Sequence, residues 1–223
     1  MQDLVDVTGM VLKQEPIGEY DRRLLILTKE RGKISCFAKG SRKMGSRLMA
    51  ATNPFSFGIF HLFEGRSAYS LNGVEISNYF EEFREDLNGA MYGMYFLEVS
   101  DYFTLENMDG KNMLKLLYQS LRALSLSSLD NRLVRAVFEI KAIVLNGEYP
   151  GIPTDEKGNI RYSESLQYAV NFIASSSIEK LYTFTLKEEV LNELIEVAAI
   201  YMRRFTDKHF NSLDMLETLY LPS

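Results

Sequence analysis

Apolar and polar positions alternate along the first eighty residues with the period of two that a β-strand imposes. Residues 5–12 are β-rich, and Gly9 is expected to form a bulge where a small barrel bends. A loop around Pro16 and Gly18 follows, then a second strand over 23–28. The segment KERGK, from Lys29 to Lys33, supplies the glycine of a hairpin, and residues 34–39 return as a third strand. Two later runs, 55–63 and 67–77, are joined around Glu64, Gly65 and Arg66. Five short antiparallel strands leave edges, and closing them into a barrel is the economical way to remove those edges.

Near residue 80 the apolar spacing lengthens toward 3.6. The acidic stretch 81–87 suits a first helical turn, continued through Met91, Met94, Tyr95, Leu97 and Tyr102 to about Thr104. Gly110 precedes a strongly apolar helix from Met113 to Leu124. Asp130 is expected to cap a helix that Gly147 stops. Residues 148–161, with Pro150, Gly151, Pro153 and Gly158, read as a loop. Ser163 starts a helix to about Ala174, and Thr185 is expected to cap a final long one ending near Arg203 and Arg204. The pattern predicts an α+β chain, with a β-barrel domain over 1–80 and an α-helical domain over 81–223.

Composition adds exclusions. Of 223 residues 46% are hydrophobic and 25% charged, which suits a globular chain with a sizeable core. No apolar run approaches the roughly 20 residues that span a bilayer. The N-terminus lacks a basic region followed by an apolar stretch, so no secretory signal is expected and a cytoplasmic location is. Cys36 stands alone, which excludes an intrachain disulfide and fits a reducing compartment.

Reactive groups do not converge. His61 and His209 have no second histidine or cysteine at metal-ligand spacing, and Cys36 reads as an inert barrel thiol. The acids Glu81, Glu82, Glu85 and Asp86 read as a solvated helix start. The stretch GSRKMGS, Gly40 to Ser46, has the glycine spacing of a phosphate-binding loop but puts Ser46 where the lysine belongs. Arg47 comes one place late, so nucleotide hydrolysis is excluded. A non-enzymatic protein without cofactor or metal is expected.

Charge changes the picture most. The chain has a net charge of -5, yet residues 1–80 hold 11 Lys and Arg against 8 Asp and Glu. Residues 81–223 hold 14 against 22. Between residues 22 and 47 there are nine basic residues, Arg22, Arg23, Lys29, Arg31, Lys33, Lys39, Arg42, Lys43 and Arg47, and one acid, Glu30. A local bias of this kind points to a polyanion. On a compact barrel these nine are expected to crowd one surface, where Gly40 and Gly45 let backbone amides approach phosphates. If about five of them neutralise phosphates of a single strand, the log–log salt slope is near -3.5. Phe37, Phe60 and Tyr69 are candidates for base stacking, although aromatics in a small barrel mostly fill it.

At these residues the sequence resembles the bacterial RecO family of DNA repair and recombination mediators. The likeness is carried by GMVLK from Gly9, GEYDR from Gly18, LTKERGK from Leu27, FAKGSR from Phe37, SRL from Ser46 and NPF from Asn53. A weaker echo, FEIKAIVLNG from Phe138 followed by Tyr149 and Pro150, resembles the family's helical domain. The resemblance implies a five-stranded OB-type barrel joined to an α-helical domain. It also implies binding of single- and double-stranded DNA, annealing of complementary strands, and partnership with RecR and single-stranded-DNA-binding protein to load RecA. The nine basic positions match the family's DNA-binding surface. Many relatives carry a four-cysteine zinc site after the Gly-Tyr-Pro segment. Residues 151–159 here contain no cysteine, so that chemistry is not expected and the loop must be held by packing or remain mobile.

The acidic tail of single-stranded-DNA-binding protein needs an apolar groove rimmed by a cation, and Arg122, Arg132 and Arg135 are candidates for that rim. Two other readings stay open: an adaptor whose acidic helices bind partners while the barrel is only a scaffold, and a nuclease, which the missing metal cluster disfavours.

Overall fold

The computed structural model describes residues 4–66, 68–149, 151–155 and 157–219. Met1 to Asp3, Ser67 at the start of the expected fifth strand, and Pro150 and Glu156 of the expected loop lie outside them. The chain divides into two compact units. One holds the residues up to Asp86 together with Leu97–Leu114; the other holds Leu87–Phe96 and the residues from Lys115 onward.

The first unit contains β1 (Leu4–Ile17), β2 (Asp21–Thr28), β3 (Gly32–Ala38), a single-turn helix α1 (Leu48–Ala51), β4 (Phe57–Glu64) and β5 (Tyr69–Asn78). They form a closed barrel in the order β1-β2-β3-β5-β4, with β4 pairing back onto β1. The β3–β5 pair is parallel, where five antiparallel strands were expected. Alternate residues point inward, so Val7, Val11, Leu24, Ile26, Ile34, Cys36, Phe60 and Leu62 fill the barrel. Leu27 and Met10, on the other face, are buried as well. Gly110 packs there, since a side chain on it would meet Thr28 O at 2.1 Å and Leu27 Cδ1 at 3.2 Å. Burial on both faces explains why Leu24 to Leu27 reads as a continuous apolar run instead of an alternation.

Strand β1 is longer than its pattern suggested and runs through Pro16, which faces Arg22. That is tolerated because β4 pairs only with Leu4 to Met10, leaving the far part of β1 one-sided. The register shift falls between Val11 and Lys13, so the extra residue is Leu12 and not Gly9. Gly9 serves close approach: a side chain there would meet Leu27 O at 2.7 Å.

The acidic stretch after the barrel is also not the helix start expected. Glu81–Arg84 is a 3-10 turn entered from Phe80 in the left-handed region (φ 50). It buries Phe83, whose ring meets Phe55 at 5.2 Å edge-on and stacks on Phe80 at 5.8 Å. Helix α2 (Leu87–Phe103) follows, and then α3 (Lys111–Leu124).

The second unit is built round α4 (Asn131–Leu145), ten of whose first thirteen residues are buried. Asp130 caps it by accepting from Arg132 N, and Gly147 (φ 84) ends it, both as the sequence predicts. Phe96 stacks on Phe138 at 4.2 Å, and Tyr95 meets Phe210 edge-on at 5.6 Å. Ser163 caps α5 (Glu164–Ser175) through Leu166 N. Lys141 is buried and donates to Ile173 O, Ala174 O and Ser176 O, closing the end of that helix with an ammonium group. Helix α6 (Glu188–Phe205) is capped at Lys187 without a side-chain bond, so Thr185 is not its cap. A further helix, α7 (Asn211–Leu219), follows it.

Candidate nucleic-acid interface

The strand register settles where the nine basic residues go. Arg22 and Arg23 pair with Ala38 and Phe37 at one end of the β2–β3 hairpin, beside the loop that carries Lys39, Arg42, Lys43 and Arg47. Lys29, Arg31 and Lys33 cluster round the Thr28–Gly32 turn at the other end. Arg22 and Thr28 are separated by roughly 20 Å of extended strand. The nine therefore form two groups and not one crowded surface.

The hairpin group is largely neutralised. Arg31 Nη1 donates to Glu64 Oε1 and to Tyr69 OH, both at 3.0 Å. The bond to Tyr69, with the Glu64 charge, raises its pKa. Lys33 Nζ lies 2.6 Å from Asp101 Oδ1 and 2.6 Å from Asp101 O. Backbone bonds from Lys33 N to Leu105 O and from Asn107 N to Arg31 O lay the 105–107 segment along the same edge. Lys29 is exposed.

The loop group differs. Lys39, Arg42, Lys43 and Arg47 are exposed, and among the described residues none is in an ion pair. Their backbone is held, which matters because an ordered loop loses less entropy on binding. Gly40 (φ 65) and Gly45 (φ 75) take the left-handed turns. Arg42 N donates to Tyr20 O (2.8 Å), Gly40 N to Asp21 Oδ1 (2.7 Å) and Ser46 N to Lys43 O (3.0 Å). Arg42 Nη1 reaches Gly18 O at 3.2 Å. Tyr20, which the sequence did not single out, sits in this anchor with Lys43 Nζ 5.6 Å from its ring centre. A four-residue helix follows, so the GSRKMGS stretch does not lead into a long phosphate-binding helix.

Arg22 and Arg23 border this loop in different ways. Arg22 Nη1 donates to Met49 O (2.8 Å) and Thr52 Oγ1 (2.5 Å), which ties β2 to α1. Burial, then the charge of Arg42, lowers its pKa. It is a brace for the loop. Arg23 is exposed, faces Glu15 across the ladder, and donates from Nε to Ser35 Oγ. Of the stacking candidates, Phe60 and Tyr69 are core, while Phe37 is 37% exposed.

The other candidates resolve one by one. Burial pushes the Cys36 thiol up to about 12, consistent with an inert wall residue. His61 Nδ1 lies 2.7 Å from Asp6 Oδ1 and Nε2 3.6 Å from Glu75, a surface ion cluster on the barrel. Among the described residues no three His, Cys, Asp or Glu side chains are grouped to hold a metal. The tip of the 148–161 loop is closed by Asp155, whose Oδ1 accepts from Lys157 N and Asn159 N, with Gly158 N on Asp155 O. No described helix is long and apolar enough to cross a membrane.

In the second unit the three rim candidates are unlike one another. Arg132 is clamped between Asp130 Oδ2 (2.7 Å) and Glu188 Oε1 (2.9 Å). Arg135 Nε donates to the buried Glu139 at 2.8 Å, and Tyr95 OH donates to the same carboxylate at 2.7 Å. Arg122 is exposed on α3. An apolar cleft lined by Tyr168, Phe172, Phe184 and Leu186 has Glu164 as its charged member, which does not suit an acidic tail.

Comparison with known proteins agrees with this architecture. Residues 1–80 match the family model "Recombination protein O N terminal", and residues 84–152 match "Recombination protein O C terminal". The DNA repair protein RecO of Acetivibrio thermocellus is 29% identical, covering 95% of this chain and 96% of its own. That of Alkaliphilus metalliredigens is 35% identical over 66% of this chain and 60% of its own. That of Clostridium acetobutylicum is 27% identical over 95% and 96%. A closed five-stranded barrel, a helical unit and two consecutive family matches together mean that this chain belongs to the RecO family of recombination proteins.

Proposed function

We propose that this recombination-family protein grips the phosphate backbone of DNA with the loop carrying Lys39, Arg42, Lys43 and Arg47, and that it does so without catalysis. The observation that carries the reading is the contrast between the two ends of one hairpin. At one end Arg31 and Lys33 are spent on Glu64 and Asp101. At the other, four exposed cations, none in an ion pair among the described residues, stand on a backbone anchored to the Gly18–Asp21 turn. Lys and Arg so placed give sequence-independent affinity for both single and double strands. Screening two backbones at once favours annealing of complementary strands, and that needs no nucleotide. In recombinational repair such annealing, with RecR, single-stranded-DNA-binding protein and indirectly RecA as partners, is the role proposed for the cell's cytoplasm. Docking of an acidic tail on the second unit falls to Arg122, because Arg132 and Arg135 already hold carboxylates.

The test compares two variants by fluorescence anisotropy. Lys39→Ala/Arg42→Ala/Lys43→Ala/Arg47→Ala is expected to lose DNA affinity with an unchanged melting curve. Lys29→Ala/Arg31→Ala/Lys33→Ala is expected to keep affinity and lose thermal stability. Equal affinity of the first variant and the wild type would refute the proposal and favour an adaptor role.

A further inference from the structure

Tyr20 is 44% exposed although the barrel it borders buries Phe60 and Tyr69. It stands in the turn between β1 and β2, and its main chain is fixed by the bond from Arg42 N to its carbonyl. Gly18 and Asp21, on either side, accept from Arg42 and Gly40. The ring is therefore presented by the same anchor that orders the cationic loop, with the Lys43 ammonium 5.6 Å from its centre. Met44, the next residue of that loop, is 99% exposed and adds a second apolar surface among the cations.

We propose that Tyr20 is a stacking platform for an unpaired nucleobase, which makes this end of the barrel prefer single-stranded to duplex DNA. The inference rests on the phosphate-binding reading above and adds to it the means of discrimination. Phosphates alone discriminate little, since both forms present them. A flat ring beside the cations does discriminate, because bases in a duplex already stack on one another and an unpaired base has a free face. The nearby ammonium adds a cation–π contact to the ring and a charge for the adjoining phosphate.

The chain contains no tryptophan, so Tyr20→Trp installs a unique fluorophore at this position. Its emission is expected to be quenched by oligothymidine and left unchanged by a duplex or by an abasic strand of equal phosphate count. Tyr20→Ala is expected to weaken oligothymidine binding about five-fold or more, with duplex binding unaltered; Tyr20→Phe keeps both. Equal losses on the two substrates, a preference for single strands that survives Tyr20→Ala, or an unquenched tryptophan on a bound strand would overturn the platform while leaving the cationic loop intact. Wild-type protein that binds neither substrate would overturn the loop and the platform together.

Discussion

Replacing Arg135 by methionine is expected to destabilise the second unit severely, because it leaves a buried carboxylate without its counter-charge. Glu139 is 2% exposed, and its carboxylate accepts from Arg135 Nε at 2.8 Å and Tyr95 OH at 2.7 Å. Burial, followed by the Glu139 charge, raises the Tyr95 pKa far above its ordinary value, so the phenol stays a donor. Methionine retains most of the arginine's aliphatic packing but removes the counter-charge. Breaking a buried pair by deleting one partner costs about 3–5 kcal/mol. For a chain of this size that is a fall in melting temperature of roughly 6–12 °C at the lower figure. In a Glu139→Gln background the charge is already gone, Tyr95 keeps its acceptor, and the same Arg135→Met change is expected to cost only about 1 kcal/mol. Thermal melts of the four proteins by circular dichroism give the coupling directly. Equal losses in the two backgrounds, or an Arg135→Met melt matching the wild type, would show that Arg135 does not neutralise Glu139 and would return it to the candidates for partner binding.

Three further changes test other parts of the structure. The bond to Asp6, with its charge and that of Glu75, raises the His61 pKa; the contact stabilises the fold below 6.5 and is lost as pH rises through the raised folded value. Melts of Asp6→Asn between about pH 5.5 and pH 8.5 should therefore lack a loss of stability that the wild type shows with rising pH. Lys141→Met strips the donor from three carbonyls at the end of α5, at a cost of about 1–3 kcal/mol, with faster hydrogen exchange in the last turn of that helix. Cys36, buried and pushed up to about 12, should stay unmodified by a thiol-reactive disulfide in the native protein at mildly alkaline pH and react at once in urea.

The barrel was legible in the sequence because its strands, the apolar run of Leu24 to Leu27 apart, alternate and its turns carry Gly18, Gly32 and Gly65. The caps at Asp130 and Ser163 and the stop at Gly147 were legible because each is a local interaction. Tertiary contacts overrode local preference elsewhere. The acids from Glu81 to Asp86 favour a helix start, but burying Phe83 against Phe55 and Phe80 holds a 3-10 turn. Thr185 is a good cap by type, yet α6 begins later, where Glu188 reaches Arg132. Helix α1 is one turn long and leaves no periodic trace. The charge bias of residues 22–47 was plain, but its partition was not. Arg31 and Lys33 are silenced by carboxylates far along the chain, at Glu64 and Asp101, and no local pattern announces such partners. Tyr20 lay inside the GEYDR motif, and only its exposure beside Lys43 distinguishes it from a core aromatic.

The salt dependence of DNA binding counts the phosphates that the four loop cations meet. With labelled oligothymidine titrated between about 50 and 200 mM salt, four neutralised phosphates predict a log–log slope near -2.8. A duplex predicts about -3.6, and each alanine at Lys39, Arg42, Lys43 or Arg47 should flatten the single-strand slope by about 0.7. Lys29→Ala should leave it unchanged. A flat slope, or one that responds to Lys29 and ignores the loop, would show that Lys39, Arg42, Lys43 and Arg47 do not hold the phosphates.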